Sequence, residues 1–201
     1  MKTPPPDLAG RLLDVSEQVL LGDPPPRLAD VAVLVGASRA TLYYYFAGRD
    51  DLLAFLLTSH ARQGAEAVEA AVDPGDPPEK RLRTMVGTLA QFLGDRPGIC
   101  AGLLGALGGT LRMREVLEAN DTWIAGPLRD LLREGVEAGD LAVDDVGDAA
   151  NAALGALLLG VLGRSLSSAD ATELRFQQQL TDQVVRGFLR VPGGRNDMHP
   201  M

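Results

Sequence analysis

The sequence predicts an all-α protein: an N-terminal three-helix helix-turn-helix domain followed by a larger C-terminal helical domain. Three observations predict it. Apolar residues recur at three- and four-residue spacing through most of the 201 residues. The marks of β-structure, alternating β-branched runs and Asn-Gly or Asp-Gly hairpin turns, are almost absent. Prolines at 4–6, 24–26, 74, 77–78, 97, 127 and 192 cut the chain into segments of helical length.

The elements follow in order. A first helix is predicted over about 8–21, with Leu8, Leu12, Val15, Val19 and Leu20 on one face. Asp23-Pro24-Pro25-Pro26 ends it, and a short helix occupies about 28–35. Gly36-Ala37 forms a tight turn, Ser38 is a natural N-cap, and a second short helix runs through Tyr45. Asp50 or Asp51 opens a long helix to about Val72. Beyond Pro74–Pro78, helices are predicted at about 79–94, 101–109, 112–138, 144–164 and 171–190. Gly139-Asp140-Leu141 is a helix stop, and Asp144 or Asp145 caps the next helix. This organisation places a helix-turn-helix domain at 1–50 (the motif itself at about 28–47), a second helical domain at 51–192, and a disordered tail at 193–201.

Composition narrows the function classes. At 46% hydrophobic the chain can build a sizeable core. Its longest apolar run, Ala152 to Gly163, is 12 residues, short of the ~18 of a membrane span, so no membrane partner is expected. The segment Met1–Asp7 lacks the apolar stretch of a signal peptide, and the one cysteine fits a reducing compartment. The expectation is a soluble cytoplasmic protein. The net charge of −8 argues against general nucleic-acid binding. Residues 1–60 carry five basic and seven acidic side chains, so any DNA-binding face is a local patch on an acidic body.

One segment concentrates the chemistry. Tyr43, Tyr44, Tyr45 and Phe46 hold four of the nine aromatic residues, directly after Ser38-Arg39-Ala40-Thr41-Leu42. Successive helical residues lie about 100° apart, so the three phenols cannot all be buried on one face. A helix starting at Ser38 turns Leu42 and Phe46 inward and presents Arg39, Thr41 and at least one ring outward. A guanidinium reads base edges, a hydroxyl makes mixed contacts, and phenols reach phosphates. Adjacent aromatics are more often core, and a lone arginine is more often a solvated charge, so the flanking pattern decides. Leu28, Val31, Ala32 and Val35 face the core from the preceding short helix, and two such helices around a small-residue turn form a helix-turn-helix.

The ordered run Leu28-Ala29-Asp30-Val31-Ala32, Gly36-Ala37-Ser38, Thr41-Leu42-Tyr43, Tyr45-Phe46, Arg49-Asp50 and Leu52 resembles the N-terminal domain of TetR-type (TetR/AcrR) bacterial transcriptional regulators. The match covers about residues 8–60, and the rest of the chain agrees in helix number and length. The resemblance implies that Arg39, Ala40 and Thr41 face DNA bases, with the N-cap Ser38 beside them in the DNA-binding surface. It implies that Tyr43, Tyr44 and Tyr45 contact phosphate, sugar or base, and that Arg49 touches backbone phosphate. Two departures stand out. Pro26-Arg27-Leu28 replaces the usual Thr or Ser cap, weakening phosphate capture there, and Ala40 replaces a glycine, its methyl suited to a thymine.

In the second block, the 144–164 helix is apolar on nearly all sides past Ala149 and therefore needs burial all round. With the 171–190 helix it suggests a homodimer built as a four-helix arrangement; the alternative is simply the domain core. The resemblance implies that 51–192 is a ligand-binding and dimerisation domain with a pocket for a small-molecule effector, and the sequence shows no obvious buried charge, which favours an apolar or weakly polar ligand. The pocket's candidate walls are Met85, Leu89, Phe92, Cys100, Leu103, Leu107, Met113 and Trp123, with glycines at 98, 102, 105, 108 and 109 loosening the backbone. No cofactor, metal or enzyme chemistry is expected: His60 and His199 are the only histidines, and no catalytic set, zinc spacing or phosphate loop is present. Cys100 reads either as an inert buried thiol or as a redox sensor. The resulting expectation is a ligand-responsive regulator, a repressor on a palindromic double-stranded DNA operator. The alternative is a dimeric ligand-binding or protein-interaction module that has lost strong DNA binding.

Overall fold

The computed structural model describes residues 2–107, 113–167 and 169–189, and these form eleven α-helices. The tail expected at 193–201, and Gly108 and Gly109, lie outside the described residues. Proline sets the start of several helices, because its missing N–H is one that no helix start can satisfy internally. It does so for α1 (Pro6–Asp14), α6 (Pro78–Gly94) and α7 (Pro97–Leu107). The α7 helix thus begins earlier than the 101 expected from the glycine-rich composition.

The helix expected over 8–21 is two. Val15, at φ −99° and ψ 6°, breaks it into α1 and α2 (Ser16–Leu21). The break turns Ser16 inward, where it is buried and bonded to His60. The helix-turn-helix then consists of α3 (Leu28–Leu34) and α4 (Arg39–Tyr45), and α5 (Arg49–Ala71) runs out of it for 23 residues.

The helix expected over 112–138 is interrupted. After α8 (Met113–Asn120) the chain makes one π-turn at Asp121–Ala125 before α9 (Gly126–Ala138). Pro127 has no N–H, and in a regular helix its ring would meet the carbonyl four residues back. The wider turn, in which the Gly126 N–H reaches Asp121 O, relieves that conflict. Gly139 ends α9 at φ 83°, and Leu141 folds back against Gly135, where a Cβ would lie 2.5 Å from its side chain. A single bridge between Leu141 and Leu189 is the one extended pairing among the described residues.

Two main cores result. The head core joins Leu8, Leu12, Val19, Leu28, Val31, Ala32, Val35, Leu42 and Phe46 to Leu52, Phe55 and Leu56 of α5. The body core is built from α6, α9, α10 (Val146–Leu166) and α11 (Leu174–Arg186), centred on Leu82, Val86, Leu128, Leu132, Leu157 and Val185. A third cluster, of Ala54, Leu57, Ile99 and Val116, fills the seam between them.

The α10 helix corrects one expectation. At 21 residues it is long and apolar enough, by length and composition alone, to cross a membrane. The 12-residue run understates it because weakly polar Ala and Gly positions extend the apolar surface on both sides. It is not buried all round in the single chain: Ala150, Ala153, Leu157 and Val161 face the core, while Ala152, Ala156, Leu159 and Leu166 are exposed.

Gly36 and Gly139 hold positive φ, where a Cβ meets the following carbonyl. Gly36→Ala and Gly139→Ala should each lower stability by about 1–2 kcal/mol in urea titrations followed by circular dichroism.

Candidate nucleic-acid interface and ligand cavity

The turn between α3 and α4 is fixed from three sides. The Gly36 N–H donates to Val33 O at 3.1 Å and the Ala37 N–H to Ala32 O at 2.9 Å, the paired bonds of a Schellman motif. Ser38 Oγ accepts the Thr41 N–H at 3.0 Å and contacts Thr41 Oγ1 at 2.7 Å, capping α4. Arg11 of α1 donates to the Val35 carbonyl while pairing with Asp7 at 2.9 Å, tying the first helix to the turn. At α3 no hydroxyl caps the helix. Asp30 Oδ2 instead accepts the Arg27 N–H at 3.0 Å, so the helix start is satisfied without the missing Thr or Ser.

On this scaffold Leu42 and Phe46 are fully buried, with Phe46 5.6 Å from the Phe55 ring. Ser38, Arg39 and Ala40 are exposed together at the start of α4, and Thr41 is half-buried behind them. Tyr43 and Tyr44 are 56% and 60% exposed, while Tyr45 is half-buried with its ring edge-on to Tyr44 at 5.0 Å. Lys2 sits with Nζ 3.6 Å from the centre of the Tyr44 ring, adding a cation to this face that the sequence pattern did not indicate. Arg49 is turned the other way. It is half-buried, and its Nη2 donates to Val19 O at 3.4 Å, so α2 holds the guanidinium expected at a phosphate.

Behind the head, α5 to α8 and α10 enclose a cavity of about 230 Å³. Of the residues expected in its wall, Leu89, Phe92, Leu103 and Met113 line it. Met85 and Cys100 are packed in the body core, and Trp123 lies on the surface beside Arg62, so none of these three reaches the cavity. Leu107 closes α7, and its side chain lies outside the described residues. The sequence pattern did not mark Leu57, His60, Ala61 and Gly64 of α5, or Leu154, Gly155, Leu157 and Leu158 of α10, as wall residues. Only a helical-wheel view of α5 offered a signal, because His60 and Gly64 share a face with Leu57.

A polar seam joins this cavity to the head. His60 is buried, with Nε2 2.9 Å from Ser16 Oγ and Nδ1 3.0 Å from Gln63 Oε1. Burial lowers its pKa, the Gln63 bond opposes this, and the nearby Arg96 charge lowers it further. Glu17 Oε2 accepts the Gly98 N–H at 2.9 Å at the start of α7. Burial pushes the Glu17 carboxyl up, against the Gly98 bond and Arg96. A Cβ at Gly98 would lie 2.7 Å from that carboxylate, and one at Gly102 2.6 Å from Leu20, so both glycines permit close contact of α7 with α2. The Cys100 thiol is pushed up to about 12 by burial and by the Glu17 charge, which makes it an inert thiol rather than a redox sensor.

Comparison with known proteins agrees with this geometry. No family model matches the chain. Over 96 residues it is 32% identical to an uncharacterized HTH-type transcriptional regulator of Mycobacterium tuberculosis, a match covering 46% of this chain and 47% of the relative. The chain thus spans about half the length of the curated relatives it matches. Fatty acid degradation regulator FadR from Bacillus halodurans superposes with a TM-score of 0.75 at 19% identity, over 90% of this chain and 99% of that one. Bacillus subtilis FadR, solved in complex with stearoyl-CoA, gives 0.74 at 18% identity over 89% and 98%. The TetR-family regulator PfmR from Thermus thermophilus gives 0.69 at 20% identity over 95% and 100%. The fold is therefore that of a helix-turn-helix regulator. More narrowly, it is the all-helical fold of the TetR type, as the α3–α4 motif implies.

His60 makes stability depend on pH in a defined direction. Its folded pKa lies below the ordinary 6.5, so the unfolded chain binds the proton first. Stability should be full above pH 6.5 and fall as the pH drops below it towards the folded value. Denaturant titrations across this range should show the fall, and a His60→Asn variant should lose it.

Proposed function

We propose that the chain is a ligand-controlled DNA-binding transcription regulator, acting as a dimeric repressor on a palindromic operator. The observation that carries this is the exposed start of α4, where Ser38, Arg39 and Ala40 stand beside Thr41, Tyr43 and Tyr44 on a turn held by three sets of hydrogen bonds. Arg39 is the base-reading cation, Ala40 and Thr41 supply methyl and hydroxyl contacts, and the two exposed phenols reach phosphates. Tyr45 supports Tyr44. Arg49 serves the scaffold in this state, and contacts phosphate only if α2 releases it.

The dimer is read from α10 and α11. Leu159 is 60% and Leu166 76% exposed, and Leu174 at the start of α11 is also open to solvent. A second copy against this strip gives a four-helix arrangement and places two α4 helices to read half-sites roughly 34–36 Å apart.

The effector occupies the cavity behind the head. Support comes from the lining, almost wholly apolar, and from the Bacillus subtilis FadR of the same fold, which was solved with stearoyl-CoA. Control runs through α5, which carries Leu57, His60, Ala61 and Gly64 in the cavity wall and Leu52, Phe55 and Leu56 in the head core. Displacement at one end of a stiff helix moves the other, and with it the spacing of the two α4 helices.

Selection of random duplex DNA at moderate salt should recover an inverted repeat. Arg39→Ala should relax its sequence preference at a cost of about 1–3 kcal/mol, while Tyr43→Phe should weaken all sequences alike. A folded dimer that enriches nothing would remove the regulator reading. Separately, Leu159→Arg should convert the dimer to a folded monomer in sedimentation velocity, since a charge cannot be buried unpaired at a closed interface.

A further inference from the structure

We infer that the cavity selects a neutral ligand: a hydrocarbon body carrying one uncharged hydrogen-bonding group, read by Asn120. This rests on the cavity being the effector site, and it goes further by fixing the charge, the size and the recognising residue.

The charge follows from the wall. Among its described residues there is no Lys, Arg, Asp or Glu; every lining side chain is apolar except His60 and Asn120. His60 gives a ligand little. Both ring nitrogens are engaged, by Ser16 and Gln63, and burial keeps the ring neutral, so it presents its carbon edge. Arg96 lies outside the wall, stacked 4.4 Å from the Phe92 ring centre and facing Glu17. A carboxylate or phosphate drawn into this space would lose its hydration with no counter-charge among the described residues of the wall, which is strongly unfavourable.

The recognising residue follows by the same count. Asn120 is half-buried in the wall, and its carboxamide has no hydrogen-bond partner among the described residues. It ends α8 where the π-turn begins, and Ile124 from that turn lines the same cavity. A carboxamide both donates and accepts, so it fits an amide, hydroxyl or ketone better than an anion. The size follows from the volume. About 230 Å³ holds roughly eight water-sized groups, taking each at the ~30 Å³ of a water in the liquid.

Octanamide and octanoate test this directly, because they are nearly equal in shape and differ in charge. Titration calorimetry and thermal melting of the full chain at pH 7.5 (about one pH unit above an ordinary histidine) should show octanamide binding and raising the midpoint, with octanoate at least about tenfold weaker. Asn120→Ala should leave the unliganded midpoint in place and reduce octanamide binding about tenfold. Gly155→Leu should abolish binding; Gly155 lines the cavity, and a Cβ there meets no heavy atom within 4 Å, so the larger side chain enters open space. Octanoate or octanoyl-CoA binding as tightly as octanamide would overturn the inference, as would no binding by any of them, or binding unchanged in both variants. DNA release is measured separately on the selected operator. Octanamide that binds without releasing DNA would remove the control mechanism and leave the ligand class standing.

Discussion

One helix has to satisfy two cores. Over 23 residues α5 puts Leu52, Phe55 and Leu56 into the head core, Ala54 and Leu57 into the seam, and Ala65, Val68 and Val72 against the body core. It runs unbroken over that length with no proline and no π-turn, two of the usual causes of a sharp kink. Whatever holds its far end therefore constrains its near end. The Phe46–Phe55 contact fixes α4 to this shaft, so the outward-facing residues of α4 keep their orientation relative to a cavity several turns away.

The seam between head and body is unusual for its polarity. An apolar joint would slide, because hydrophobic contact is not directional. Ser16–His60, which is buried, and Glu17–Gly98, which is half-buried, are directional, and each joins the head's α2 to an element that lines the cavity. Buried groups of this kind add little net stability but strongly disfavour any arrangement that leaves them unpaired. That makes the joint better suited to two discrete positions than to a continuum. Glu17 Oε1 is already buried without a partner, so the described state keeps one such group unsatisfied.

How much was legible in the sequence depends on the range of the contacts. The head was readable because its motif is local: Gly36, Ser38, Leu42 and Phe46 are set by bonds and packing within about two turns, and their spacing survives as pattern. The two-fold start of the chain was not readable, since the break at Val15 accompanies a Ser16 bond to a partner 44 residues away. The cavity was half readable. Leu89, Phe92, Leu103 and Met113 are apolar residues on the helices that surround it, but so is Met85, which faces the core instead. A void is a property of helices that fail to touch, and no single segment encodes that. His60 was set aside as a residue lacking catalytic partners; its significance is positional, and position came only with the fold.

The buried Cys100 has a practical consequence. It is the chain's one cysteine, it is fully enclosed, and burial pushes its thiol up to about 12, so thiol reagents at neutral pH have almost no thiolate to attack. Cysteines placed on exposed positions of the head would then react alone in the otherwise native chain. Paired spin labels or fluorophores on two associated copies would report the separation of their heads as a distance distribution, free and with a compound in the cavity, without first removing a residue from the core.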